Sequence, residues 1–170
     1  MGCGEEEVIL DEEVFAVILA LTIIASSLGI ALTWRASGEA FTAIGLLDES
    51  CKIGVYPRTV AVNQSLTLCI YIYNHMGKPV AYQVLYKVAV NASQLPNATA
   101  PSPARALGKW LGALNNDEEA KFLVSVKVPG GVELIGKNIS IVFELWLFNT
   151  STGSWMYSGR WTHLWVKVVK

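Results

Sequence analysis

From Val14 to Trp34 the chain runs twenty-one residues without a charge. A helix rising about 1.5 Å per residue carries such a run through roughly the 30 Å hydrocarbon core of a bilayer. The run therefore predicts a transmembrane helix over 14–34. The apolar region of a cleaved signal peptide is usually shorter, with bases before it and small residues after it. Here Asp11, Glu12 and Glu13 stand before the run, and Trp34 and Arg35 close it as an interfacial aromatic and a snorkelling base would. Within the run Thr22, Ser26, Gly29 and Thr33 recur at spacings of three and four. That stripe is a candidate helix-packing face, and equally a set of small residues tolerated against lipid.

The helix divides the chain into a short acidic tail over 1–13, a stalk over 35–40 and a domain over 41–170. The 52% hydrophobic content is high partly because so much of it lies in the helix, and the rest of the chain reads as one ordinary domain. All thirteen bases lie from Arg35 onward with eight acids, a net of about +5. They are scattered, without the clustered footprint of a nucleic-acid binder, so no nucleic-acid partner is expected.

Arg35 beside the helix would place the domain inside the cell, but the positive-inside rule is weak for long domains. Against it stand five N-x-[ST] sequons, at Asn63, Asn91, Asn97, Asn138 and Asn149, among only eight asparagines. A sequon carries an N-linked glycan only on a surface facing the glycosylation machinery, outside the cytoplasm. The expectation is a single-pass protein of the cell membrane, in contact with lipid, whose C-terminal domain is extracellular.

Beyond the helix, apolar runs alternate with period two and are broken by turn residues, the pattern of a sandwich. Ser65 to Tyr73 points Leu66, Leu68, Ile70 and Ile72 to one side, and a strand from Val80 to Val88 returns after the Asn74 to Pro79 turn. The pair reads as a hairpin. Leu107 to Leu114 and Ala120 to Val128, joined by the Asn115 to Glu119 turn, read as another. Ile139 to Phe148 and Arg160 to Val169 are the last two strands, with their apolar sides opposed and a connection rich in Ser, Thr and Gly between them. Residues 91–106, polar and proline-containing, read as a long exposed loop. With Phe41 to Leu47 and Ile53 to Val62 the count reaches seven or eight antiparallel strands: an all-β Ig-like sandwich behind one N-terminal transmembrane α-helix.

Little in the sequence suggests chemistry. His75 and His163 lack metal-ligand spacing with any Cys, Asp or Glu, and no nucleophile-elbow, zinc-protease, phosphate-loop or dinucleotide motif occurs. Neither an enzyme nor a cofactor is expected. Cys51 and Cys69 lie on neighbouring segments and could be bonded or free. The outward side of the last two strands gathers Trp146, Phe148, Trp161, His163 and Trp165. These rings form a candidate partner surface, or they lie beneath the long loop.

Tyr56, Pro57 and Val62, then Asn74 and His75 ending a strand, then a closing His163-Leu164-Trp165-Val166-x-Val168, resemble the extracellular half of an archaeal membrane-protein family, "domain of unknown function 1616". That family joins N-terminal membrane segments to a C-terminal Ig-like or CARDB-like β domain. The resemblance implies an archaeal surface protein with no assigned activity, although this chain has one span where many members have several. The sequence expectation is therefore a glycosylated, non-catalytic structural or accessory protein of the cell envelope that docks a protein partner. The alternatives are a sugar- or small-ligand-binding or adhesion module using the tryptophan-rich face, and a pilin-like filament subunit.

Overall fold

The computed structural model describes residues 12–33 and 39–170. Most of the expected acidic tail, most of the stalk, and Trp34 and Arg35 lie outside the described residues. The described chain forms two compact units, a helix and a sandwich.

The helix α1 spans Glu12–Thr33. It is apolar all round rather than along one stripe, and its described side chains from Glu12 to Ile30 are exposed, with a mean hydropathy of 2.2 over that stretch. A helix with no polar face requires a wholly apolar environment. It is long and apolar enough to cross a membrane. The hydroxyls of Thr22, Ser26 and Ser27 donate to the carbonyls of Ile18, Thr22 and Ile24, so these three hydroxyls bond within the helix.

Eight strands follow: β1 Phe41–Leu47, β2 Thr59–Ala61, β3 Ser65–His75, β4 Val80–Ala89, β5 Ala106–Leu114, β6 Glu118–Lys127, β7 Asn138–Asn149 and β8 Ser154–Val169. They form a three-stranded sheet ordered β1-β3-β6 and a five-stranded sheet ordered β2-β8-β7-β4-β5. Every pairing among them is antiparallel except β2 with β8. The core lies between the sheets, where Leu66, Leu68, Ile70 and Ile72 of β3 share one buried cluster with Val84 and Tyr86 of β4 and Ile139, Ile141, Phe143 and Leu145 of β7. The Ig-like sandwich is the architecture, with the alternation placing the inward side chains as the sequence predicts.

Both expected hairpins are arches instead. β3 pairs with β1 and β6, whereas β4 pairs with β5 and β7, so the Met76 to Pro79 connection carries the chain from one sheet to the other. The 115–117 connection between β5 and β6 does the same. Asn74 ties the two arches together. Fully buried, its side-chain amide donates to the carbonyls of Lys78 and Asn115, each at 2.9 Å, while its own carbonyls accept from Met76 and Asp117. Period-two alternation says which side chains face the core, but it is the same for a hairpin and for an arch.

The last two strands, β7 and β8, do pair directly as a hairpin, and β8 is longer than expected. β8 begins at Ser154, so the connection is the tight turn 150–153, and Ser158 and Gly159 form a bulge where the register shifts opposite Leu145 and Trp146. The expected strand from Ile53 to Val62 is reduced to β2, and residues 48–58 form a loop bonded to β3 through Cys51, with Tyr56 packed against the core and donating to the Leu46 carbonyl.

Candidate functional site

Cys69 points away from the core on β3, yet it is fully buried because Cys51 in the 48–58 loop is bonded to it across a separation of 18 residues. Asp48 braces the same loop by accepting from the amides of Ser50 and Lys52, and its hydrogen bonds to Ser50 and Lys52 hold its carboxyl below the usual range.

The outer face of the five-stranded sheet carries the predicted aromatic residues, but the bulge splits them. Trp146 does not sit beside His163. It faces Tyr157, with ring centroids 5.6 Å apart, and Phe148 meets Trp155 edge-on at 5.3 Å. Farther along β8, Trp161, His163 and Trp165 form a separate row with centroids 5.0 Å and 6.2 Å apart. All are half-buried except Phe148 and Trp165, the latter 41% exposed. Burial draws the His163 imidazole below its ordinary range.

Between the two groups lies the 91–106 segment, whose composition predicts an exposed loop. It is a loop, mostly exposed as expected, and it lies across the sheet as a strap. It opens with a short helix, Ala92–Gln94, and buries Pro96 and Ser102. Tyr157 donates to the Asn97 carbonyl at 2.9 Å. Burial, with the charge of Glu144 nearby, pushes the Tyr157 hydroxyl up to about 12. Gly159, at φ +72°, brings β8 so close that a Cβ there would lie 2.5 Å from the Ala98 carbonyl oxygen.

The strap is pinned by an ion pair that sequence reasoning misses. Lys87 and Glu144 point outward from β4 and β7, meet at 3.0 Å and are almost wholly buried. Lys87 Nζ donates to the Ser102 carbonyl at 2.7 Å, the Ser102 amide donates to Glu144 Oε1 at 2.6 Å, and Trp146 Nε1 donates to Glu144 Oε2 at 3.1 Å. A charge taken from water is tolerable only when paired and fully hydrogen-bonded, and this network does both. Lys87 pairs with Val142 and Glu144 with Leu85, so the two charges meet on a diagonal of neighbouring strands that the sequence alone does not place side by side. On β7, opposite Ala89 and Trp165, the Ser140 hydroxyl is buried without a hydrogen-bond partner.

The sequons differ in setting. Asn63, Asn91, Asn97 and Asn138 are exposed and Asn149 is half-buried. Asn63 takes a left-handed turn at φ +63°. The Oδ1 atoms of Asn91 and Asn97 accept the hydroxyls of Ser93 and Thr99, at 2.7 Å and 2.9 Å. In the Asn138 sequon the required hydroxyl is that of buried Ser140. Of the candidate helix-packing residues, Thr22 and Ser26 are exposed with their hydroxyls bonded along the helix, a Cβ added at Gly29 would meet nothing within 4 Å, and Thr33 closes α1.

On the opposite sheet a second polar-aromatic group lies outward. His75 pairs with Asp117, which also accepts from Tyr73 at 3.2 Å, and these bonds, that from His75 first, hold the Asp117 carboxyl low. Phe41 packs on both rings, and Lys121 bonds Glu119 and lies over Tyr71. Among the described residues no three of His, Cys, Asp and Glu group as metal ligands.

No family model and no curated protein sequence matches the chain. Among solved structures, the chain is similar to the CARDB domain of the PF1109 protein from Pyrococcus furiosus, crystallised in complex with di-metal ions. The identity is 14% and the TM-score 0.45, covering 76% of this chain and 89% of that one. It is also similar to the sporulation control protein Spo0M from Bacillus subtilis at 8% identity and TM-score 0.42, covering 76% of this chain and half of that one. A β-glucosidase from Listeria innocua matches at 12% identity and TM-score 0.40, over 78% of this chain and 16% of the enzyme.

Proposed function

We propose that the chain is a membrane-anchored, non-catalytic β-sandwich that serves as a structural or partner-docking module outside the cytoplasm, at the cell envelope. The observation that carries this reading is the Cys51–Cys69 bond in a domain that follows an all-apolar helix. A disulfide that welds a covering loop to a strand persists in an oxidising compartment, and a helix with no polar face belongs in lipid. The five sequons agree in direction, with Asn91 and Asn97 exposed on the strap. The resemblance of the short motifs at Tyr56–Val62, Asn74–His75 and His163–Val168 to archaeal membrane proteins favours an archaeal envelope.

Digesting intact cells with a protease tests this orientation. The sandwich should be cut from the cell surface, leaving a membrane-held fragment that contains the helix. A domain that is protected until the cells are lysed would overturn the reading.

The exposed Trp165 beside His163 favours a second reading, a binding face for sugars or small solutes. Ligand-dependent quenching of tryptophan fluorescence that Trp165→Ala abolishes, and that Trp146→Ala under the strap leaves in place, would establish it.

A further inference from the structure

Each sheet of the sandwich ends in two edge strands, and three of these four edges are blunted. β2 is three residues long, β1 lies against β8, and β6 carries Glu118, Glu119, Lys121 and Lys127. Short length, cover by another element and charge are the ordinary devices that keep an edge from pairing with another chain. β5 has little of this. It runs nine residues, Ala106–Leu114, without proline and with Lys109 as its single charge. Among the described residues no backbone–backbone bond joins β5 to any segment but β4, so one side of the strand offers its amides and carbonyls to solvent. Leu107, Lys109, Leu111 and Ala113 alternate outward along it, Leu107 at 49% and Leu111 at 61% exposure, while Trp110 packs against the core.

Charge along this edge is sorted by end. Arg105, Lys109 and Lys127 are exposed, and Lys127 lines one groove with Leu107 and Gly108, so these bases gather toward the start of β5. Asp117, Glu118 and Glu119, also exposed, follow the other end of β5 through the 115–117 arch. Lys121 offsets one of them through its bond to Glu119, and Lys78 precedes β4, one strand further in. An edge that is basic at one end and acidic at the other meets a copy of itself favourably when the copy is turned end for end, as antiparallel pairing about a two-fold axis turns it.

We infer that β5 pairs with β5 of a second copy of this chain, antiparallel about a two-fold axis, joining the two five-stranded sheets into one. The register that sets Leu111 on the partner's Leu111 sets Lys109 on the partner's Ala113, whereas a register centred on Lys109 would set like charges face to face. Residues 108–114 are then paired, and Arg105 and Lys127 lie toward the partner's Asp117 and Glu118. None of the five sequons lies on β5 or β6, and Asn63, in the groove with Leu107, stands beyond the paired stretch. The inference goes beyond the docking reading above by naming the partner, and it stands apart from the membrane anchor.

The test is the mass of the full chain in detergent, read by sedimentation with the bound detergent accounted for. A dimer is expected. Leu111→Lys should leave a monomer with unchanged far-ultraviolet dichroism and an intact Cys51–Cys69 bond, since Leu111 is largely exposed in the single chain. Ala113→Glu should tighten the dimer and Ala113→Lys loosen it, because residue 113 faces the partner's Lys109. With Cys3→Ser in place, Leu111→Cys should form a disulfide between chains and Met156→Cys on β8 should not. A chain that is monomeric at every concentration overturns the inference. So does a dimer that persists in Leu111→Lys, as one joined through the helices would, or one that responds alike to both Ala113 substitutions. Each of these outcomes leaves the membrane anchor untouched.

Discussion

Asn74 shows how much of this fold hangs on a single side chain. Its amide satisfies carbonyls from both arches within a fully buried site, and no other residue type places a donor and an acceptor at those positions with that reach. Asn74→Ala should cost about 1–3 kcal/mol in denaturant unfolding through the carbonyls left unpaired. Asn74→Asp is nearly the same shape but brings a charge against those carbonyls, so it should be the more damaging of the two at neutral pH. Equal effects of the two substitutions would contradict the donor role. His163 supplies a pH dependence. Its folded pKa lies below the unfolded value, so the unfolded chain binds the proton more readily, and stability should fall as pH drops below about 6.5. His163→Phe should flatten that part of the stability curve, read from melting temperatures across roughly pH 7.5 to 5.

At the scale of elements, the strap and the 48–58 loop are each fixed to one sheet, the first by a buried ion pair and the second by a disulfide. Lys87→Ala strands Glu144 beneath the strap and should cost about 3–5 kcal/mol, whereas Lys87→Met combined with Glu144→Leu should recover most of it. Limited trypsin digestion of folded protein reads the same event, because exposed Arg105 at the end of the strap should become cleavable in Lys87→Ala before global unfolding. Reducing the disulfide, which joins residues 18 apart, should lower stability by about 3 kcal/mol in the chain-entropy account. These elements also mark where the sequence is legible. The inward sets of β3, β6, β7 and β8 follow from alternation, because burial acts on single side chains in order. The arches do not, because alternation is blind to which sheet the next strand joins. Gly159 stands between Ser158 and Arg160 and reads as part of a connection, so the bulge it forms in β8 is not legible. The strap is hidden because its polar composition is that of a solvated loop, and only pairing β4 beside β7 brings Lys87 against Glu144. The bulge in β8 likewise explains why Trp146 and His163, neighbours by simple counting along two strands, fall into separate groups.

For the whole molecule, an all-apolar helix, a disulfide-bonded sandwich and a surface dotted with sequons all bear on one claim, that the domain stands outside the cytoplasm on a membrane anchor. The sequons rank by setting: Asn91 and Asn97 on the strap should be occupied most fully, and Asn138, whose Ser140 hydroxyl is buried, least. The measurement that tests the claim most directly is the intact mass and non-reducing peptide map of the protein purified in detergent from its own cells. The account predicts a peptide pair linked through Cys51 and Cys69, glycan at Asn91 or Asn97, and the helix retained on the same chain. Free thiols at both cysteines with all five asparagines bare would contradict it.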